Sequence, residues 1–169
     1  MGAHLSLSLP ILILIAAIQS SFVPQIRILG GSPDLIMLTV LCWSVDSDLS
    51  EGLTWAFVGG IVQDLLSVAP IGASALGLIL IVFIVSLLSR GLFRVGPILL
   101  SALVVTGTVL HQSVFAFILA ATGMPSSYLT TFTYVIVPSA IYNLAAVAFV
   151  YFFVRQAQKR LRPNKQAFS

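Results

Sequence analysis

Long apolar runs dominate this chain, and they decide its solvent. Six of them approach the length of about 20 residues, range 17–25, that a helix needs to cross a bilayer. They cover roughly Leu5–Phe22, Pro33–Ser47, Leu53–Val68, Ala73–Leu88, Pro97–Ala121 and Thr131–Val154. The breaks carry turn residues: Gly30-Gly31-Ser32-Pro33, Ala69-Pro70-Ile71-Gly72, Gly91 to Gly96, and Gly123-Met124-Pro125-Ser126-Ser127. Of the 169 residues, 59% are hydrophobic and 8% charged, with a mean hydropathy of +1.09. A soluble domain of this size has too little interior to hide that much apolar surface. The expectation is an all-α membrane protein with six transmembrane helices over residues 1–154 and a basic tail over 155–169. Leu5–Phe22 is expected to be a retained helix, because a cleaved signal peptide wants a basic leading region and only His4 precedes the apolar stretch.

The charges orient these spans. With the N-terminus in the cytoplasm and strict alternation, Arg90, Arg94, Arg155, Lys159, Arg160, Arg162 and Lys165 fall inside and only Arg27 outside. This is a strong positive-inside pattern, with both termini cytoplasmic. The net charge of +3 arises mostly in the tail, which suits a membrane surface and its anionic lipid rather than nucleic acid. The acidic loop Asp46-Ser47-Asp48-Leu49-Ser50-Glu51 is expected to be solvated, or to pair with Arg90 and Arg94 on the same side. The second and third spans are short, so they tilt, thin the bilayer, or form a half-buried hairpin. Ser32-Pro33-Asp34 makes a good helix start, with Ser32 able to cap and the Asp34 carboxylate complementing the helix N-terminus.

Asp64 stands inside the apolar run Gly59-Gly60-Ile61-Val62-Gln63-Asp64-Leu65-Leu66. An acid at membrane depth usually has a partner or a task. Alternation places Gln19, Asp64 and Ser139 at a similar depth in the outer half, with His111 and Asn143 nearer the midplane. A polar cluster or small outward cavity follows, in which Asp64 pairs with His111 or accepts bonds from Gln and Asn amides. The plainer alternatives are that Asp64 reaches water near Ala69, or that it makes a structural interhelical bond. His111 reads as a neutral hydrogen-bonded histidine, since no Cys/His cluster accompanies it for a metal. Cys42 reads as packing. Gly52, Gly59 and Gly60 leave a smooth face on span three, and Ala16/Ser20 and Ala17/Ser21 on span one are spaced for close helix contact. Nucleotide loops, metal motifs and nucleophile elbows are missing from the sequence. No enzyme activity and no cofactor are therefore expected.

Two segments carry a family resemblance. Pro33-Asp34-Leu35-Ile36-Met37-Leu38 and the short apolar hairpin after it resemble the second span of the rod shape-determining protein MreD family. Gly59-Gly60-Ile61-Val62-Gln63-Asp64-Leu65-Leu66, Pro70-Ile71-Gly72 and Ala75-Leu76-Gly77 look like that family's glycine–Asp–Leu and Pro-x-Gly pattern. The resemblance implies a non-enzymatic component of the bacterial inner membrane that works in lateral wall elongation. Its partners would be MreC most directly, then MreB, RodZ, RodA and a class B penicillin-binding protein in the same assembly. It also implies a fold like the six-helix substrate-binding subunit of energy-coupling-factor transporters. Asp34 and Asp64 would be family-like polar positions, and Gly59, Gly60, Pro70 and Gly72 shape-setting ones. Gln63, His111 and Asn143 join them as candidates from depth alone. Two competing readings are a vitamin-like substrate-binding subunit of a transporter, and a proton relay through Asp64 and His111.

Overall fold

The computed structural model describes residues 2–26, 31–67, 70–91, 95–123 and 132–161. These form six α-helices: α1 (Gly2–Phe22), α2 (Leu35–Val45), α3 (Leu49–Leu65), α4 (Ala73–Gly91), α5 (Pro97–Ala121) and α6 (Val137–Leu161). A 3-10 turn, Val23–Ile26, closes α1, and a π turn, Phe132–Ile136, leads into α6. The helices run up and down. The end of α1 meets the start of α2 through Gln19 and Ile36, the end of α3 meets the start of α4 through Asp64 and Ser74, and the start of α6 meets the start of α2 through Asn143 and Asp34.

Among the described residues, three helical stretches are long and apolar enough to cross a membrane: Ser8–Gln25, Pro97–Ala121 and Thr133–Leu161. The third and fourth expected spans, α3 and α4, are not among them, and the second falls furthest short. α2 has 11 residues, about 16 Å at 1.5 Å per residue, against a hydrocarbon core of about 30 Å. It cannot cross alone. All ten residues from Ile36 to Val45 are buried, and α2 touches each of the other five helices. An evenly apolar helix is what a fully enclosed position requires. The same composition would also suit a lipid-facing span, and length separates the two cases.

Small residues let the other helices close around α2. A Cβ at Gly59 would lie 3.2 Å from both Ile36 Cγ2 and Val40 Cγ2. At Gly52 it would lie 2.9 Å from Val82 Cγ1 and 3.0 Å from Ser44 Oγ. On α1 the buried stripe contains Leu12 and Ala16, while Ala17, Ser20 and Ser21 are exposed, so only one residue of the two expected small pairs packs inward.

The α2–α3 turn is held by a clasp that the sequence reading did not foresee. Trp43 and Trp55 stack with ring centroids 3.9 Å apart and planes 19° apart. Trp43 Nε1 donates to Glu51 Oε1 at 3.0 Å, and Gln158 Nε2 of α6 donates to Trp43 O at 3.0 Å. Asp46 and Asp48 are exposed as expected, but Glu51 is buried because the indole needs an acceptor. The expected pairing with Arg90 and Arg94 lies outside the described side chains.

Candidate functional site

The polar residues of the apolar spans converge on one structural problem. A helix that begins inside a membrane presents free N–H groups where no water can take them. α2 begins there. Asp34 is its N-cap: Oδ1 accepts from Met37 N at 2.9 Å. Ser32, the other expected cap, instead donates its backbone N–H to Ser139 Oγ of α6 at 3.2 Å. Asp34, and not Ser32, reaches the first-turn N–H. Ile36 N donates to Gln19 Oε1 of α1 at 3.0 Å, and Asp34 N to Asn143 Oδ1 of α6 at 2.8 Å.

The network then spreads sideways. Asp34 Oδ2 accepts from Gln63 Nε2 of α3 at 3.0 Å and lies 3.5 Å from His111 Nδ1 of α5. Asn143 Nδ2 donates to Thr108 Oγ1 at 3.0 Å, and Thr108 Oγ1 donates to Val104 O at 2.8 Å. Asp34 is 5% exposed, His111 3% and Asn143 fully buried. Thus Asp34, Gln63, His111 and Asn143 form one cluster, with Gln19, Thr108 and Ser139 as further members. Gly77 of α4, part of the family-like pattern but not of the expected site, joins them: a Cβ there would lie 2.6 Å from His111 Cδ2, so glycine makes room for the imidazole. Two buried atoms of the cluster, His111 Nε2 and Gln63 Oε1, have no hydrogen-bond partner.

Asp64 stands apart from this cluster, which corrects the expected Asp64–His111 pair. Its Oδ2 accepts from Gly72 N at 2.7 Å and its Oδ1 from Ser74 N at 3.0 Å. It caps α4 from the end of α3, and His111 faces Asp34 instead. The proton relay through Asp64 and His111 therefore has no contact to run through. The Pro70-Ile71-Gly72 turn makes the capping possible. Pro70 O accepts from Ala73 N at 3.1 Å, and Gly72 has φ +102°, a conformation that favours glycine. Removing the cap has a definite expected cost. Asp64→Ala leaves two N–H groups unmet and should destabilise the folded protein by about 1–3 kcal/mol. Asp64→Asn keeps one acceptor and should lose about half as much. Denaturation in detergent measures both, and an Asn variant weaker than the Ala variant would contradict the capping role.

Among the described residues, no three His, Cys, Asp or Glu side chains gather where they could hold a metal. Asp64 has both oxygens engaged by backbone N–H groups at the start of α4, and Asp34 has one on Met37 N and the other on the Gln63 amide. The arrangement is therefore built for holding helices together.

The model of the family described as rod shape-determining protein MreD matches residues 2–160 of the 169-residue chain. The chain belongs to the MreD family. That match extends well beyond Pro33–Gly77, the region that carried the motif resemblance. MreD membership gives the chain a role in rod-shape determination, and its apolar helices make it an integral membrane protein. No curated protein and no solved structure matches, so the expected likeness to an energy-coupling-factor subunit gains no support.

Proposed function

We propose that this MreD-family chain is a non-enzymatic scaffold in the bacterial inner membrane, with both termini cytoplasmic, that binds the transmembrane helix of MreC. Through MreC it would serve the assembly of MreB, RodZ, RodA and a class B penicillin-binding protein, and so lateral peptidoglycan synthesis. One observation carries this reading: the two carboxyls that chemistry would need are both helix caps, Asp34 on α2 and Asp64 on α4. A vitamin-like transporter subunit would use polar groups at this depth to hold a ligand; here they hold the protein's own helices.

A binding surface is available on the outer wall. α1 and α6 stand on either side of α2 and leave a groove of about 410 Å³. Its floor is one face of α2, Leu35, Thr39 and Trp43 at four-residue spacing. Its walls include Leu14 and Ile18 of α1 and Phe149 and Phe153 of α6, all exposed. Among the described residues that line it none is charged, which suits an apolar helix packed by van der Waals contact.

The test is photocrosslinking in membranes that contain MreC. A benzophenone amino acid at Leu14 or Phe153 should capture MreC, and the same probe at Phe83 or Leu87 of α4 should not. Capture only from α4 would move the interface. If the folded chain purified from detergent without MreC, the partner reading would fail.

A further inference from the structure

The opposite flank of α6 carries a second cavity with different chemistry. A cleft of about 590 Å³ lies between the start of α5 and the end of α6. Along α6 its lining changes in order: Leu144 and Ala148 first, then Tyr151, then Arg155 and Lys159. These positions follow helical spacing and share one face. Arg155 Cζ sits 5.9 Å from the Tyr151 ring centroid. Leu144 to Arg155 spans 11 residues, about 16 Å of rise, or half of a hydrocarbon core of about 30 Å. The cleft is thus about one leaflet deep, apolar at one end and cationic at the other.

The cationic end also receives the start of α5. Gly96 is its N-cap and offers no side-chain acceptor, and Pro97 takes the first position. A 25-residue helix therefore points its positive pole toward Arg155 and Lys159. Among the described residues that line the cleft, the charged ones are the cations Arg155 and Lys159, and the dipole has the same sign. This order of apolar, aromatic and cationic groups is the order of an acyl chain, a glycerol ester and a phosphate.

We propose that this cleft binds one anionic phospholipid, with its phosphate between Arg155, Lys159 and the α5 N-terminus and an acyl chain along Leu144 and Ala148. The site is separate from the groove on the other flank of α6, and it does not depend on MreC binding. It differs from diffuse attraction of a basic tail to a membrane surface, because the cleft sets both the stoichiometry and the position.

Native mass spectrometry of the full chain in non-ionic detergent tests the assignment. The chain is titrated with phosphatidylglycerol, with phosphatidylcholine of the same acyl chains, and with inorganic phosphate. One phosphatidylglycerol should bind at about tenfold lower concentration than phosphatidylcholine. Arg155→Gln should weaken it by about fivefold, and Arg160→Gln, on the same helix but outside the lining, by much less. Ala148→Trp, which fills the cleft and keeps every charge, should abolish the preference. Equal losses for Arg155→Gln and Arg160→Gln would mean unlocalised charge and overturn the proposal. So would undiminished binding in Ala148→Trp, or displacement of the lipid by millimolar phosphate. If Arg155→Gln fails to fold, the Ala148→Trp and phosphate measurements decide.

Discussion

Asp34→Leu is expected to be the most damaging single change to a polar residue in this protein, costing about 3–5 kcal/mol of stability. The carboxyl does three things at once. It caps Met37 N, accepts from Gln63 Nε2, and faces His111 Nδ1. A leucine there fills the space but leaves these donors in an apolar interior with nothing to accept them, and stranding buried donors costs more than the removed bonds themselves contributed. Asp34→Asn should behave differently. Its oxygen can keep the Met37 cap, and its new amide can donate to Gln63 if that side chain turns its Oε1, now unpartnered, toward it. The expected loss is about 1 kcal/mol. Unfolding midpoints of the two variants in detergent, with membrane abundance as a second readout, make the comparison. An Asn variant as weak as the Leu variant would show that the hub depends on charge alone. A Leu variant as stable as the parent would remove the hub.

The same cluster shows what the sequence made legible and what it did not. The order of helices followed from apolar runs and their Gly and Pro breaks. α5, Pro97–Ala121, coincides with the expected span because Gly96-Pro97 is a clear helix start. α6 continues to Leu161, beyond the expected end at Val154, because Arg155 to Arg160 are good helix formers once past the hydrocarbon. α2 was harder, since an all-round apolar segment is equally at home facing lipid or enclosed by protein. The polar residues are visible in the sequence, but depth sets His111 and Asn143 near the midplane and Gln19, Asp64 and Ser139 further out, whereas in the structure Gln63, His111 and Asn143 all gather at Asp34. Depth could not assign partners. Partners follow instead from the backbone N–H groups that a buried helix start leaves unmet, which draw Asp34 to α2 and Asp64, through the fold-back at Gly72, to α4. The Trp43–Trp55 clasp had a faint signal as well, two tryptophans flanking the acidic turn with Glu51 between them.

The tightest helix contact sets up the second large effect. A Cβ at Gly60 would overlap the Cα and N of Ala75. These are backbone atoms, so no rotamer change relieves the clash, and α3 and α4 must separate. Gly60→Ala should therefore cost about 3 kcal/mol, near the upper end for overpacking, and Gly60→Val more. Gly59→Ala meets only the side-chain tips of Ile36 and Val40 at 3.2 Å, which can shift by a few tenths of an ångström, and about 1 kcal/mol is expected there. The asymmetry reaches the polar network because Gln63 and Asp64 lie one turn beyond Gly60 on the same helix. Moving α3 away from α4 draws Asp64 off Ser74 N and Gln63 off Asp34 together. Gly60→Ala combined with Asp64→Ala should then cost less than the sum of the two, since the first has already weakened the bonds the second removes. A double-mutant cycle in detergent reads this directly. Simple additivity would show that close packing and helix capping are independent here, and that the α3–α4 pair can separate without disturbing the start of either α2 or α4.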